Sequence, residues 1–153
     1  MINQIDEIDR NILRIVQNDA SLSVDEISAK VHLSRNACWR RIKAMEQAGV
    51  ITGRVALVDP AKVGAPLTAM VLIRTNAHDP TWIAKFQAVL QSFPEVVGAF
   101  RMTGDLDYVL RVRVADVPAY DDFYKRLTSR ISVSDISASF VMEEIKDTTA
   151  VPL

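Results

Sequence analysis

Ile5, Ile8, Ile12, Ile15 and Val16 recur every three or four positions between Asp6 and Asn18, with acidic residues in the first turn. That spacing predicts an amphipathic helix whose N-terminal dipole is matched by its acids. A turn-rich stretch from Asn18 to Ser23 interrupts it, and Ser23 with Glu26 three positions later is the capping-box pattern that opens a short helix carrying Ile27 and Val31. His32 to Ser34 forms the next break, with Ser34 as N-cap of a third helix over 35–48 that Gly49 ends. Ile51 to Val58 is rich in branched residues and reads as a strand.

DPAKVGAP, residues 59–66, holds two prolines and a glycine and marks a domain boundary, which divides the chain into 1–60 and 61–153. Beyond it, Leu67 to Thr75 predicts a strand, and Asp79 with Pro80 opens a helix carrying Trp82, Ile83, Phe86, Val89 and Leu90, ended near Pro94. Val96 to Met102 and Tyr108 to Val114 predict a hairpin joined by Thr103 to Asp107, where Gly104 suits a turn with positive φ. Asp116 caps a helix carrying Val117, Tyr120, Phe123, Tyr124 and Leu127, and Ile136 to Ile145 reads as a long last strand. The order strand, helix, strand, strand, helix, strand is the split βαβ pattern of a ferredoxin-like fold, so the chain is read as α+β. Such a sheet carries both helices on one face and leaves the other bare, which predicts at least a homodimer.

With 153 residues, 49% hydrophobic and 24% charged, the chain has the composition of one ordinary or two small globular domains. Apolar runs such as Ala69 to Ile73 stop far short of the roughly 20 residues a membrane span needs, and the acidic start does not resemble a signal peptide. No membrane association and a cytoplasmic location are expected. A single cysteine, Cys38, and two histidines, His32 and His78, argue against a disulfide and against a metal site, and no cofactor is expected. Cys38 reads as a small core residue, since neither histidine lies at a spacing that would make a catalytic pair.

Net charge is only −1, but it is unevenly placed. Residues 1–29 hold Asp6, Glu7, Asp9, Asp19, Asp25 and Glu26 against Arg10 and Arg14, whereas 30–54 hold Lys30, Arg35, Arg40, Arg41, Lys43 and Arg54 against Glu46. Projected at 3.6 residues per turn, the third helix puts Cys38, Ile42 and Met45 on one face and Arg35, Asn36, Trp39, Arg40 and Lys43 on the other. Guanidinium and amide groups can pair with guanine and adenine edges, and the major groove admits one helix, so this face fits double-stranded DNA. Arg41 and Arg54 are assigned to phosphate or structural duty, with Ser34 at the helix start. The alternative is a solvated basic face with no ligand; Trp39 weighs against it, because an indole among cations exposes apolar area unless something covers it, which could equally be a neighbouring helix.

Four segments in order, IDEIDRNIL, LSRNACWRRIKAMEQAGVITG, MTGDLDYVL and SFVMEEIKDTTAVPL, resemble the Lrp/AsnC feast/famine transcription regulators over essentially the full length. The resemblance implies an N-terminal winged helix-turn-helix and a C-terminal ferredoxin-like domain that senses an amino acid, dimerises through its sheet and assembles to octamers. The ending EIKDTTAVPL and the stretch YDDFYKRL look most like a branch that includes cysteine-responsive regulators of cysteine detoxification. Cysteine, leucine and methionine are the candidate effectors.

Gly104, Asp105, Asp107 and Tyr108 match the family's Gly-Asp-x-Asp-Tyr turn, which resembles a free amino-acid pocket at the contact between dimers. Main-chain N–H groups of such a turn can hold a carboxylate and an aspartate can hold an ammonium. Met102 and Thr103 line the same turn, with Ser134, Asp135, Ser137 and Ser139 near the last strand as further candidates. The other reading of Asp105 and Asp107 is that they merely cap a hairpin. Two further function classes are a sensor module without DNA binding, which leaves the basic face unexplained, and a small ferredoxin-like dimeric enzyme. For the latter, no histidine, lysine or cysteine accompanies the two acids, and no catalytic residue is assigned.

Overall fold

The computed structural model describes residues 5–153, so the first four positions of the 1–60 segment lie outside the described residues. The chain forms two compact units: one runs up to Leu57 and includes Lys146–Leu153, and the other is Val58–Ile145.

In the first unit, helix α1 spans Glu7–Val16, α2 Val24–Lys30 and α3 Arg35–Gln47. Each starts on a side-chain cap that satisfies an orphan N–H: Asp6 on Asp9, Ser23 on Glu26 and Ser34 on Ala37. The α3 helix ends into Gly49, whose φ of +71° is a conformation that glycine adopts without a Cβ penalty. Ile12, Leu13 and Val16 of α1, Ile27 of α2, and Cys38, Ile42 and Met45 of α3 form one buried cluster.

Ile51 to Val58 is not a strand among the described residues, contrary to its composition. A strand needs a ladder partner, and the described residues of the first unit contain none. The side chains of Val55 and Leu57 remain 78% and 79% exposed.

The second unit starts with a short 3₁₀ turn, Ala61–Val63, and then follows the βαββαβ order. The strands are β1 Leu67–Arg74, β2 Val96–Arg101, β3 Tyr108–Val114 and β4 Asp135–Phe140, and the helices are α4 Pro80–Gln91 and α5 Val117–Arg130. All pairings are antiparallel, in the order β2-β3-β1-β4. Ala69, Val71 and Ile73 of β1 and Leu110, Val112 and Val114 of β3 face Phe86, Val89, Leu90, Phe93, Phe123 and Leu127, which makes a single core under both helices. The alternate residues Met70, Leu72, Val109 and Phe100 lie on the opposite, helix-free face, where Phe100 is 53% exposed.

The last strand is shorter than the expected Ile136 to Ile145, ending at Phe140. Phe140 pairs with Ala69, and the Val141 N–H still reaches the Thr68 carbonyl at 2.9 Å. Because β1 begins at Leu67, the ladder runs out there, and Met142 and Ile145 are left fully in solvent.

Candidate functional site

The turn between α2 and α3 sets the angle of the third helix. Val31 closes α2, His32 takes a left-handed φ of +56°, and the Leu33 N–H donates back to the Ser28 carbonyl at 3.0 Å. The Ser34 hydroxyl then accepts from the Ala37 N–H at 3.2 Å and starts α3. Upstream, the Glu26 carboxylate accepts from both the N–H and the hydroxyl of Ser23, at 2.7 and 2.8 Å, which holds its pKa below the usual carboxylate value.

With Cys38, Ile42 and Met45 buried, α3 presents Arg35, Asn36, Trp39, Arg40 and Lys43 outward, and Trp39 is 50% exposed. Burial pushes the Cys38 thiol pKa up, as for an inert core side chain. Among the described residues, Arg40 and Asn36 make no side-chain hydrogen bond or ion pair, and Trp39 makes no ring contact. Arg35 pairs with Asp25 at 3.1 Å and Lys43 with Glu46 at 2.7 Å, both at the surface. Arg54 joins Glu46 from the other side at 3.2 Å. The Lys43 hydrogen bond, with a smaller pull from the Arg54 charge, keeps the Glu46 carboxyl below its ordinary pKa.

Arg41 is turned away from this face. Its guanidinium lies 2.8 Å from a carboxylate oxygen of both Asp6 and Asp9, against the start of α1. Of the sequence-selected residues, then, five share the outward face, Ser34 caps the helix, Arg54 flanks it, and Arg41 fastens α3 to α1.

At the β2–β3 turn, Gly104 has φ of +95°. The turn is tied to two other segments by residues the sequence reading did not single out. The Thr75 N–H donates to the Asp107 carboxylate at 2.8 Å, and the Asp107 N–H donates to the Ile73 carbonyl at 3.0 Å. Arg74 spans the gap to β4, donating Nε–H to the Asp105 carbonyl at 2.9 Å and an Nη1–H to the Asp135 carboxylate at 3.1 Å. The Ser134 hydroxyl accepts from the Asn76 N–H at 2.8 Å. Met102, Thr103, Gly104 and Asp105 are exposed on one side of this construction. Tyr108 instead packs its ring against Phe86 and Trp82, at centroid distances of 4.7 and 6.1 Å. Ser137 and Ser139 lie on the helix-free sheet face opposite Leu72 and Met70. The contacts of Thr75 and Asn76 use main-chain N–H groups and leave no trace in residue type. Arg74, as the charge that ends an apolar strand, was the one available signal.

No group of three or more His, Cys, Asp or Glu side chains among the described residues could hold a metal ion. No described helix is long and apolar enough to cross a membrane.

Residues 5–52 match the winged helix-turn-helix DNA-binding model, and residues 68–151 match the Lrp/AsnC ligand binding domain. The chain is 45% identical over 150 residues to the DNA-binding transcriptional activator DecR of Escherichia coli, covering 97% of this chain and 99% of that one. It is 44% identical over 153 residues to the glutamate uptake regulatory protein of Zymomonas mobilis, covering 100% and 93% of the two chains. Among solved structures, an AsnC family transcriptional regulator from Agrobacterium tumefaciens superposes with a TM-score of 0.93 at 52% identity, covering 96% of each chain. A transcriptional regulator from Neisseria meningitidis in complex with L-methionine also has a TM-score of 0.93, at 34% identity and 97% coverage of each chain.

Proposed function

The chain belongs to the Lrp/AsnC family of DNA-binding transcription regulators and is not an enzyme, and from this premise we propose that it reads duplex DNA with the outward face of α3. The observation that carries this is the separation of the helix into a buried apolar face and an exposed face of Arg35, Asn36, Trp39, Arg40 and Lys43. Arg40 and Asn36 are the candidates for base edges. The ion pairs of Arg35 and Lys43 are surface pairs of small worth, so both cations can be transferred to phosphates at little cost. Arg54 is assigned to phosphate and Arg41 to the internal tie. A homodimer formed through the bare sheet face would present two such helices to half-sites one helical turn apart, and assembly to octamers would wrap a longer or curved site.

The effector is an amino acid, and its place is assigned to the exposed side of the turn at Met102, Thr103, Gly104, Asp105 and Asp107, with Arg74, Ser134 and Asp135 beside it. Ser137 is assigned to the neighbouring sheet surface and Tyr108 to the support beneath the turn. The solved relative with L-methionine supports methionine as the first compound to try, with cysteine and leucine next. The effector would act by binding one assembly state better than another. The site of action is the cytoplasm, where both DNA and free amino acids are available.

Fluorescence anisotropy on labelled genomic fragments tests the reading. The parent should bind with an affinity that falls steeply with salt, and an Arg35→Ala, Arg40→Ala, Lys43→Ala triple variant should lose most of that affinity and flatten the salt slope. Equal binding by parent and triple variant would remove α3 from the interface.

A further inference from the structure

Gln17 and Val151 exchange two hydrogen bonds. The Gln17 side-chain N–H donates to the Val151 carbonyl at 3.0 Å, and the Val151 N–H donates to Gln17 Oε1 at 3.0 Å. A carboxamide that satisfies both main-chain groups of one residue reproduces a rung of a β-ladder without a strand. Three residues earlier, next to the same face of α1, Arg14 directs its Nε and Nη2 groups to the Leu153 carbonyl at 3.2 and 3.1 Å. Glu7, at 2.8 Å, and Asn11, at 2.6 Å, hold its remaining nitrogen in place.

The apposed segment is shaped for this contact. The Ala150 N–H donates to the Thr148 hydroxyl at 3.1 Å, which sets a bend, and Pro152 restricts Val151 to extended backbone. The Leu153 side chain is half-buried on the apolar cluster of the first unit. There it helps line a cavity of about 760 Å³ together with Leu13, Val16 and Ile51. The Val151 side chain stays exposed. Neither the outward face of α3 nor the β2–β3 turn uses any of these groups, although DTTAVPL belongs to one of the segments that carry the family resemblance.

We propose that α1 carries a binding site for an extended peptide with an aliphatic anchor, occupied by the chain's own segment Lys146–Leu153. Recognition is by main chain at residues 151 and 153 and by one apolar side chain at 153, so the site demands an N–H and a carbonyl at the first position and a main-chain oxygen with an aliphatic group at the second. The helices that carry the DNA-reading face are thereby fastened to the rest of the polypeptide at two places in sequence, after Leu57 and before Lys146.

Amide hydrogen exchange by NMR on the full chain tests this. The Val151 N–H should exchange at least about tenfold more slowly than in a free peptide of residues 146–153. Gln17→Ala should bring it to the free-peptide rate, while α1 amides stay protected and report that the unit is folded. Gln17→Glu should keep the protection, because a carboxylate still accepts from Val151, and Val151→Ala should keep it too, because the side chain is not read. Should Gln17→Ala not fold, Leu153→Ser removes the anchor without touching α1 and should release the segment equally. Free-peptide exchange of Val151 in the parent, or protection that survives both Gln17→Ala and Leu153→Ser, would overturn the proposal. Protection that falls on dilution would overturn the assignment to the same chain and give the site to the segment of a second copy.

Discussion

The Arg41 guanidinium sits 2.8 Å from the Asp9 carboxylate, and the same nitrogen lies 2.8 Å from Asp6, so one cation of the DNA-reading helix is committed to the N-terminus of α1. Asp6 and Asp9 also cap that helix reciprocally. Hydrogen bonds donated to the Asp9 and then the Asp6 carboxylate raise the Arg41 pKa, and the Asp9 N–H followed by Arg41 lowers that of Asp6. Arg41→Ala should therefore reduce stability by about 1 kcal/mol in urea unfolding, as charge-assisted hydrogen bonds at a half-exposed site do. The slope of log affinity against log salt on DNA should not change. A slope smaller by about one unit would instead place Arg41 on a phosphate.

Arg40 makes no side-chain hydrogen bond or ion pair among the described residues, so its substitution isolates the contact with DNA. Arg40→Ala should weaken binding to a specific site by about 1–3 kcal/mol and relax selectivity at one base position. An equal loss on every sequence, measured by anisotropy with a panel of single-base variants, would reassign it to the backbone.

Glu26 and Asp6 both have folded-state pKa values below their ordinary values, Glu26 mainly through the Ser23 N–H and hydroxyl and Asp6 mainly through the Asp9 N–H. A depressed carboxylate binds protons less readily folded than unfolded, so its stabilisation is present above the unfolded pKa and is lost as pH falls through the folded one. The urea midpoint of the parent should decline below about pH 4, the usual carboxylate range. Glu26→Gln should be less stable at neutral pH and show a shallower decline in acid. Parallel curves for parent and variant would show that the capping box does not contribute to acid sensitivity.

His32 holds φ of +56° in the turn between α2 and α3, a conformation that costs a residue with a Cβ roughly 1 kcal/mol. His32→Gly relieves that strain against the larger entropy of an unfolded glycine and should be neutral to mildly stabilising. His32→Val, branched at Cβ, should destabilise by about 1–2 kcal/mol in thermal or urea unfolding. Equal stability of the two variants would show that the turn can relax its backbone.

Asp107 accepts from the N–H of Thr75, a residue buried to 5% exposure. Asp107→Ala leaves that donor without its partner and should cost about 1–3 kcal/mol, read as a fall in thermal midpoint. The turn would keep its main-chain bond to Ile73 but lose its side-chain tie to Thr75, so any midpoint rise produced by L-methionine, L-cysteine or L-leucine in the parent should shrink. Asp107→Asn retains an acceptor and should keep most of both. A ligand-induced shift undiminished in Asp107→Ala would move the effector elsewhere.

The elements legible in sequence are those fixed by neighbours in sequence. Ser23 with Glu26, Ser34, Asp79 and Asp116 each cap the helix they announced, and Gly49 stops α3, because those interactions close within three or four residues. The two strand errors share one cause. Ile51 to Val58 has branched residues but no ladder partner among the described residues of the first unit, and the stretch from Met142 to Ile145 lies beyond the point where β1 has run out of residues to pair. Composition records what a residue prefers, not whether another strand lies beside it. The same limit hid Thr75, Asn76 and the seat of Val151, where main-chain groups common to every residue make the contacts. It also left Arg41 undecided between phosphate and structure, since the choice depends on carboxylates more than 30 positions away.

The outward face of α3 gathers Arg35, Arg40 and Lys43 on a chain whose net charge is only −1. In the field of a polyanion such a body feels little net pull but a definite torque, which rotates the basic side forward before contact. Association would then be fast for productive orientations and discouraged for all others, and added electrolyte would slow capture more than it hastens release.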